Sequence, residues 1–261
     1  MEIELNSVIF AGNVRRRVNY NFSKGRITGI LKDNDLIASI RYNLKLDDIA
    51  FSLDNNMYEL DKCGRDVGYI SLGNIRFLKR NIIYDELLLK AKAFKYKVNS
   101  IEKRISDVLR MVGLDDSYCY REIDTLSDGE LVKFLIADCL ILNPKIIVMD
   151  GIDVYLDNYS LKKLFGLVSN LKKRYQKTII IISSDVDNVY DFADEYVIIG
   201  NAFFKTGVVS NVVKFNSDLI TCGFGLTSVN EFVNLVKEKK NILLGDARDL
   251  DDLVRRVIDN V

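Results

Sequence analysis

The chain is 261 residues long, 48% hydrophobic and 28% charged, a composition that suits a soluble globular α/β protein with one main domain and an appendage. Thirty-seven basic and thirty-seven acidic residues cancel, which argues against bulk nucleic-acid binding, and no nucleic-acid partner is expected. There is no histidine, so histidine general bases, Ser-His-Asp triads and His-ligated metal sites are excluded.

In chain order, residues 1–31 alternate short apolar runs with polar turns: Val8-Ile9-Phe10, then Val18 to Phe22, then Ile27 to Leu31 after a Lys24-Gly25 turn. This pattern predicts antiparallel strands leading into one buried strand. It continues through residues 47–71 with IAFSLD, an Asn55-Asn56 turn, MYEL and a strand over Val67–Ile70. From Tyr84 the apolar residues recur at helical spacing, in YDELLLKAKAF and in SIEKRISDVLRMV, the second with Asn99-Ser100 as N-cap and Gly113 as C-cap. A helix over 127–142 follows, then a break at Asn143-Pro144 and a buried strand over Ile146–Met149 that ends in the carboxylate of Asp150.

The spacing next predicts a helix over 160–174 and a central parallel strand, buried on both faces, over the apolar run Thr178–Ile182. A helix over Val186–Ala193 precedes two strands, Tyr196–Ile199 and Ala202–Lys205, around Gly200-Asn201. Beyond about Val213 the composition shifts. Residues 214–225 read as a loose stretch containing GFG, followed by two amphipathic helices, SVNEFVNLVKEKK and DLDDLVRRVIDNV. No apolar run approaches the roughly 18–20 residues needed to span a bilayer. The start, MEIELNSVIF, lacks the basic-then-apolar order of a signal peptide, so a cytoplasmic protein is expected. Cys63, Cys119, Cys139 and Cys222 form no C-x-x-C pair and read as buried or incidental thiols.

Three stretches carry the chemistry. Leu126-Ser127-Asp128-Gly129-Glu130 heads a helix, Ile146 to Asp150 is a strand ending in a carboxylate, and Leu156-Asp157 follows it. In this order and spacing they resemble the signature motif, the Walker B strand and the D-loop of ATP-binding-cassette (ABC) ATPases. The resemblance covers residues 1–213 and implies a P-loop NTPase-like cassette, with a mixed sheet core, an antiparallel β subdomain and a helical subdomain at about 73–142. Residues 214–261 resemble the small α-rich dimerisation extension of importer ATPases of the energy-coupling-factor (cobalt and vitamin) type. In that subfamily two ATPase subunits, often non-identical, pair and drive a membrane T component.

Several positions depart from the family. A phosphate loop, G-x-x-x-x-G-K-[ST], brings backbone N–H groups to the phosphates, neutralises them with lysine and binds Mg²⁺ through its hydroxyl. At the corresponding place the chain reads Lys32-Asp33-Asn34-Asp35-Leu36-Ile37-Ala38-Ser39. Lys32 and Ile37 stand for the glycines and Ala38 for the lysine, while Asn34 and Ser39 still match. Asp33 and Asp35 add carboxylates where polyphosphate belongs. Like charges ~4 Å apart repel by roughly 1 kcal/mol in water and about 4 kcal/mol at an effective dielectric of 20. The adenine-stacking aromatic falls near Gly12, the Q-loop glutamine at Leu72, the catalytic glutamate at Gly151 and the switch histidine at Ser184; Asp128 replaces a signature glycine.

The resemblance retains Ser127, Gly129 and Glu130 of the signature, Asp157 of the D-loop, and Ser39 with Asp150 as vestigial Mg²⁺ ligands. Local roles compete with these assignments. Ser127 and Glu130 can form a helix capping box, and Asp150 can be the polar end of a buried strand. Asp153 reads either as a stand-in base or as a solvated loop carboxylate. Lys90, Lys92, Lys95 and Lys97 form either a solvated helix face or a surface for anionic lipid.

The expected function is that of a catalytically degenerate ABC subunit, structural or regulatory partner of an active paralogous ATPase in a heterodimer. It would dock on the transmembrane T component at the inner face of the cell membrane. The alternatives are a slow or asymmetric ATPase that completes a composite site, and a soluble regulator detached from transport. No cofactor is expected in the isolated chain; a composite dimer site is where ATP and Mg²⁺ would sit.

Overall fold

A computed structural model describes residues 3–11, 14–32, 42–46, 49–53, 66–72, 75, 78–93, 101–200 and 203–260. The chain divides into two units. The first comprises Met1–Phe22, Ile27–Tyr58 and Ile182–Val261, and the second Ser23–Arg26 and Glu59–Ile181.

In the first unit the alternating segments pair into an antiparallel sheet. Its strands are β1 (Ile3–Ala11), β2 (Val14–Phe22), β4 (Tyr42–Leu46) and β5 (Ile49–Leu53), in the order β2-β1-β4-β5. β2 is longer than its apolar run Val18–Phe22 predicts, because Arg15, Arg16 and Arg17 pair with Phe10, Ile9 and Val8. Charged residues suit an edge strand, where they discourage pairing with another chain.

The same unit contains β3 (Ile27–Lys32), β9 (Glu195–Gly200) and β10 (Phe203–Val208). β3 runs parallel to β9, and β9 antiparallel to β10, so the pairing is mixed. Asp194 fixes the start of β3: its carboxylate accepts from the N–H of Ile27 at 2.9 Å, and its own N–H donates to the Ile27 carbonyl at 2.8 Å. Gly29 allows the approach of α5 (Val186–Phe192), since a β-carbon there would lie 2.5 Å from Cγ1 of Val189.

Residues 212–222 form a helix, α6 (Val212–Cys222), where a loose stretch was expected. Asn211 caps it and Gly223 ends it in the left-handed region at φ 85°. Val212, Phe215, Leu219 and Cys222 recur at helical spacing and are buried. That period was present in the sequence, but the two glycines of GFG obscured it. Beneath this helix, the Tyr196 hydroxyl donates to the buried carboxylate of Asp218 at 2.6 Å. α7 (Ser228–Lys240) and α8 (Leu250–Asn260) close a small cluster of Val233, Leu244, Ala247 and Leu253. Buried Asn230 ties it together, accepting from the Ala247 N–H at 2.9 Å and donating to its carbonyl at 3.0 Å. Residues 214–261 thus all fall within the first unit.

The second unit holds β6 (Val67–Ile70), β7 (Ile146–Asp150) and most of β8 (Thr178–Ser183), in the order β8-β7-β6. β6 and β7 are parallel, with Val67 opposite Ile146. Every residue of β8 is buried, as its unbroken apolar run predicts. The helical segment is α1 (Ile83–Ala93), α2 (Ile101–Met111) and α3 (Asp128–Leu140), followed after β7 by α4 (Asn158–Tyr175). Buried Glu86 accepts from the N–H groups of Lys79 and Arg80 at 3.0 and 2.8 Å.

Lys90 of α1 pairs with Asp138 of α3 at 2.5 Å and is only 24% exposed. It is therefore part of the helix packing rather than of a solvated basic face. Burial alone would lower its ammonium pKa, but Asp138 outweighs it and the net shift is upward. Lys92 is exposed, while Lys95 and Lys97 lie outside the described residues. Among the described residues no helix is long and apolar enough to cross a membrane.

Candidate functional site

β7 carries four buried apolar residues and delivers Asp150 at its carboxyl end. Asp150 accepts a hydrogen bond from the hydroxyl of Tyr69 on the neighbouring strand β6. The next residue, Gly151, turns the chain at φ 61°, a left-handed conformation that residues with side chains seldom adopt. A short 3-10 turn, Asp153–Tyr155, then leads to Leu156 and Asp157. Asp153 is buried at 7% exposure, so the solvated carboxylate expected there is not found; the turn points it inward, where it is not without a partner. Asp157 is the N-cap of α4, its carboxylate accepting from the Ser160 N–H at 2.7 Å.

The head of α3 is a second polar cluster. Ser127 is the N-cap, and its hydroxyl oxygen accepts from the Glu130 N–H at 3.4 Å. Glu130 reaches back to accept from both the N–H and the hydroxyl of Ser127 at 2.9 Å, completing a capping box. The same carboxylate accepts from the Tyr118 hydroxyl and lies 3.4 Å from Arg121, whose guanidinium covers the Tyr118 ring at 4.7 Å. These donors hold the Glu130 carboxyl down at about 2, the Tyr118 hydrogen bond contributing most. Tyr118 and Arg121 belong to this cluster but were not singled out in the sequence. Tyr118 lies in a 3-10 turn (Asp116–Tyr120) outside any motif pattern.

The two clusters meet through α3. A β-carbon built on Gly129 would sit 3.8 Å from Cδ2 of Leu156, so the signature turn and the D-loop segment are in van der Waals reach. Leu72 follows β6 and is half-buried, in the same unit. Ser184 belongs to the first unit; it is exposed in a bend after β8, and the neighbouring Asp185 caps α5 by accepting from Asn188 at 3.1 Å. Gly12, Asn34, Ala38 and Ser39 lie outside the described residues.

Among the described residues the donor set fits Mg²⁺ poorly. At the end of β7 it amounts to one carboxylate, Asp150, that already accepts from Tyr69 and is followed by a residue with no side chain. Among the described residues no group of three or more His, Cys, Asp or Glu could hold a metal ion. Two buried thiols among the described residues are poor nucleophiles: burial pushes Cys139 up to about 12 and Cys222 up to about 11.

No protein-family model matches the chain. A putative ABC transporter ATP-binding protein of Staphylococcus aureus (strain COL) is 30% identical over 146 residues, 55% of this chain and 25% of the relative. The methionine import ATP-binding protein MetN of Aliivibrio fischeri is 27% identical over 155 residues, 59% of this chain and 44% of that one. The energy-coupling factor transporter ATP-binding protein EcfA3 of Oenococcus oeni is 23% identical over 215 residues, covering 82% of this chain and 74% of the relative. The chain thus spans about a quarter of the length of the first relative, at 25%.

Among solved structures, cbiO1 from Clostridium perfringens, part of the ABC transporter complex cbiONQ, superposes with a TM-score of 0.63 at 18% identity, covering 92% of this chain and 98% of that one. The ATP-binding cassette MJ0796, a dimer in a post-hydrolysis state bound to ADP and Pi, gives 0.61 at 18% identity, with 79% and 98% covered. The mixed sheet, the antiparallel sheet and the helical segment are together the fold of an ABC-transporter ATP-binding cassette.

Proposed function

We propose that this chain is a catalytically degenerate ATP-binding-cassette subunit of an importer of the energy-coupling-factor type, one that has lost ATP binding as well as catalysis. In this reading it is the structural or regulatory half of a heterodimer with an active paralogous ATPase. It sits at the inner face of the membrane, held there by a transmembrane T component. The kinds of transporter named for MetN, EcfA3 and cbiO1 support an importer.

One observation carries the loss of catalysis. The residue after Asp150 is Gly151, held at φ 61°, and the next carboxylate along the chain, Asp153, is buried in the following turn. In this reading Gly151 stands where the family's base would act on a water. Losing a residue that positions a nucleophile or stabilises transition-state charge costs ~10²–10⁴-fold. Ala38, Leu72 and Ser184, read as replacements of the family's lysine, glutamine and histidine, would multiply that cost. What is retained, the capped heads of α3 and α4, suits an interaction surface, which depends on packing more than on the placement of reactive groups.

Calorimetric titration of the isolated chain with MgATP is the test. No saturable heat is expected. Micromolar affinity would overturn the reading.

A further inference from the structure

The second unit contains a cleft that none of the motif residues requires for its own role. It measures about 280 Å³ and lies between the end of α2, one face of α3 and the first turns of α4. Ligand pockets typically run from roughly 300 to 1,000 Å³, so this one suits a small molecule. Its inner wall is apolar, with Val132, Ile136 and Leu164 all buried. Among the described residues its charged lining consists of Arg110, Lys133 and Lys163, with no carboxylate. Arg110 and Lys163 are exposed and Lys133 half-buried, which puts the positive charge on the solvent side of an apolar wall.

The nearby groups leave that charge only partly answered. Arg110 is paired with Asp116. Asp157 acts on Lys133 through space, and Lys163 lies over the Tyr159 ring at 4.2 Å. Neither lysine forms an ion pair among the described residues. Ser160, whose side chain hydrogen-bonds Asp157, also lines the cleft.

We propose that this cleft binds a small amphipathic monoanion: a carboxylate head among Lys133, Lys163 and Arg110, and a short aliphatic body against Val132, Ile136 and Leu164. The basic rim selects the charge, and the apolar wall excludes a second charged group. Leu156 of the D-loop segment also lines the cleft, so an occupant would touch the segment between Asp153 and Asp157. Binding itself does not depend on the proposed transport role or on nucleotide.

Octanoate titrated into the full chain by calorimetry tests this, with octanol as the uncharged control. Octanoate is expected to saturate one site and to bind at least about tenfold more tightly than octanol. The double variant Lys133→Glu, Lys163→Glu is expected to weaken octanoate about tenfold or more and to leave octanol unchanged. Both substitutions lie at the solvent side. Leu167→Trp, which fills the half-buried part of the cleft, is expected to weaken both ligands, with an unchanged circular dichroism spectrum and melting temperature certifying the fold. Absence of saturation, equal binding of octanoate and octanol, or wild-type octanoate affinity in the charge-reversed variant would each overturn the site.

Discussion

Glu130 gathers hydrogen bonds from Tyr118 and Ser127 and an ion pair with Arg121. Its carboxyl is held down at about 2, first by the Tyr118 hydroxyl and then by the N–H and hydroxyl of Ser127. An unfolded glutamate titrates near ~4.3. The folded value is the lower one, so this carboxylate contributes stability that is fully present above about pH 4.3 and is lost as pH falls toward about 2. Glu130→Gln is therefore expected to flatten the acid side of the stability profile in that window and, through the weakened cap, to lower neutral stability by about 1 kcal/mol. Urea denaturation at a series of pH values checks it, and an acid limb as steep as wild type would contradict it. The capping box was legible in the sequence because Ser127 and Glu130 are three residues apart and such caps are local. Tyr118 was not legible, since its approach depends on a 3-10 turn with no pattern of its own. The Asp157 cap had a sequence signal, an aspartate just before a helix, that the D-loop assignment overshadowed.

At the scale of elements, close approach explains what periodicity leaves out. β6 lies against α3 at Gly68, where an added β-carbon would fall 2.1 Å from the Cys139 sulfur and 3.0 Å from Cγ of Pro144. Gly68→Ala is expected to cost about 1–3 kcal/mol by overpacking. Combining it with Cys139→Ala removes the nearest atom, so the double variant should lose less stability than the sum of the two single variants. Denaturant midpoints of the four proteins measure this; additive losses would place the clash elsewhere. Periodicity correctly placed α2, α3, α4 and β8. It missed residues 14–17 of β2, because strand formation there comes from pairing with β1 rather than from its own apolar content. α6 was missed for a different reason: its period was intact, and glycines just beyond its end suggested a loop.

For the molecule as a whole, the absence of histidine has a thermodynamic consequence. Histidine is the side chain whose ordinary pKa falls between about 5 and 8. Among the described residues the resolved shifts at Asp115, Asp116, Glu130, Asp157 and Asp252 are downward, and those at Cys119, Cys139 and Cys222 upward, away from neutrality, while burial moves the Lys177 ammonium the other way, downward. The melting temperature is therefore expected to change little between about pH 6 and 8, because few protons are exchanged on unfolding there. Thermal melts across that range check it, and a shift of more than a few degrees would point to a strongly perturbed carboxylate or thiol. By itself the sequence determined the fold class, the order of the motif segments, the absence of a carboxylate at Gly151 and the capping box of α3. Each of these rests on residue identity or on contacts between near neighbours in the chain. Only the tertiary structure decided that Asp153 is buried, that Lys90 turns to Asp138, that Tyr69 meets Asp150 and that residues between Arg110 and Leu167 enclose a cleft. Those features bring together side chains distant in sequence, and burial and charge pairing at such range depend on packing that no local period records.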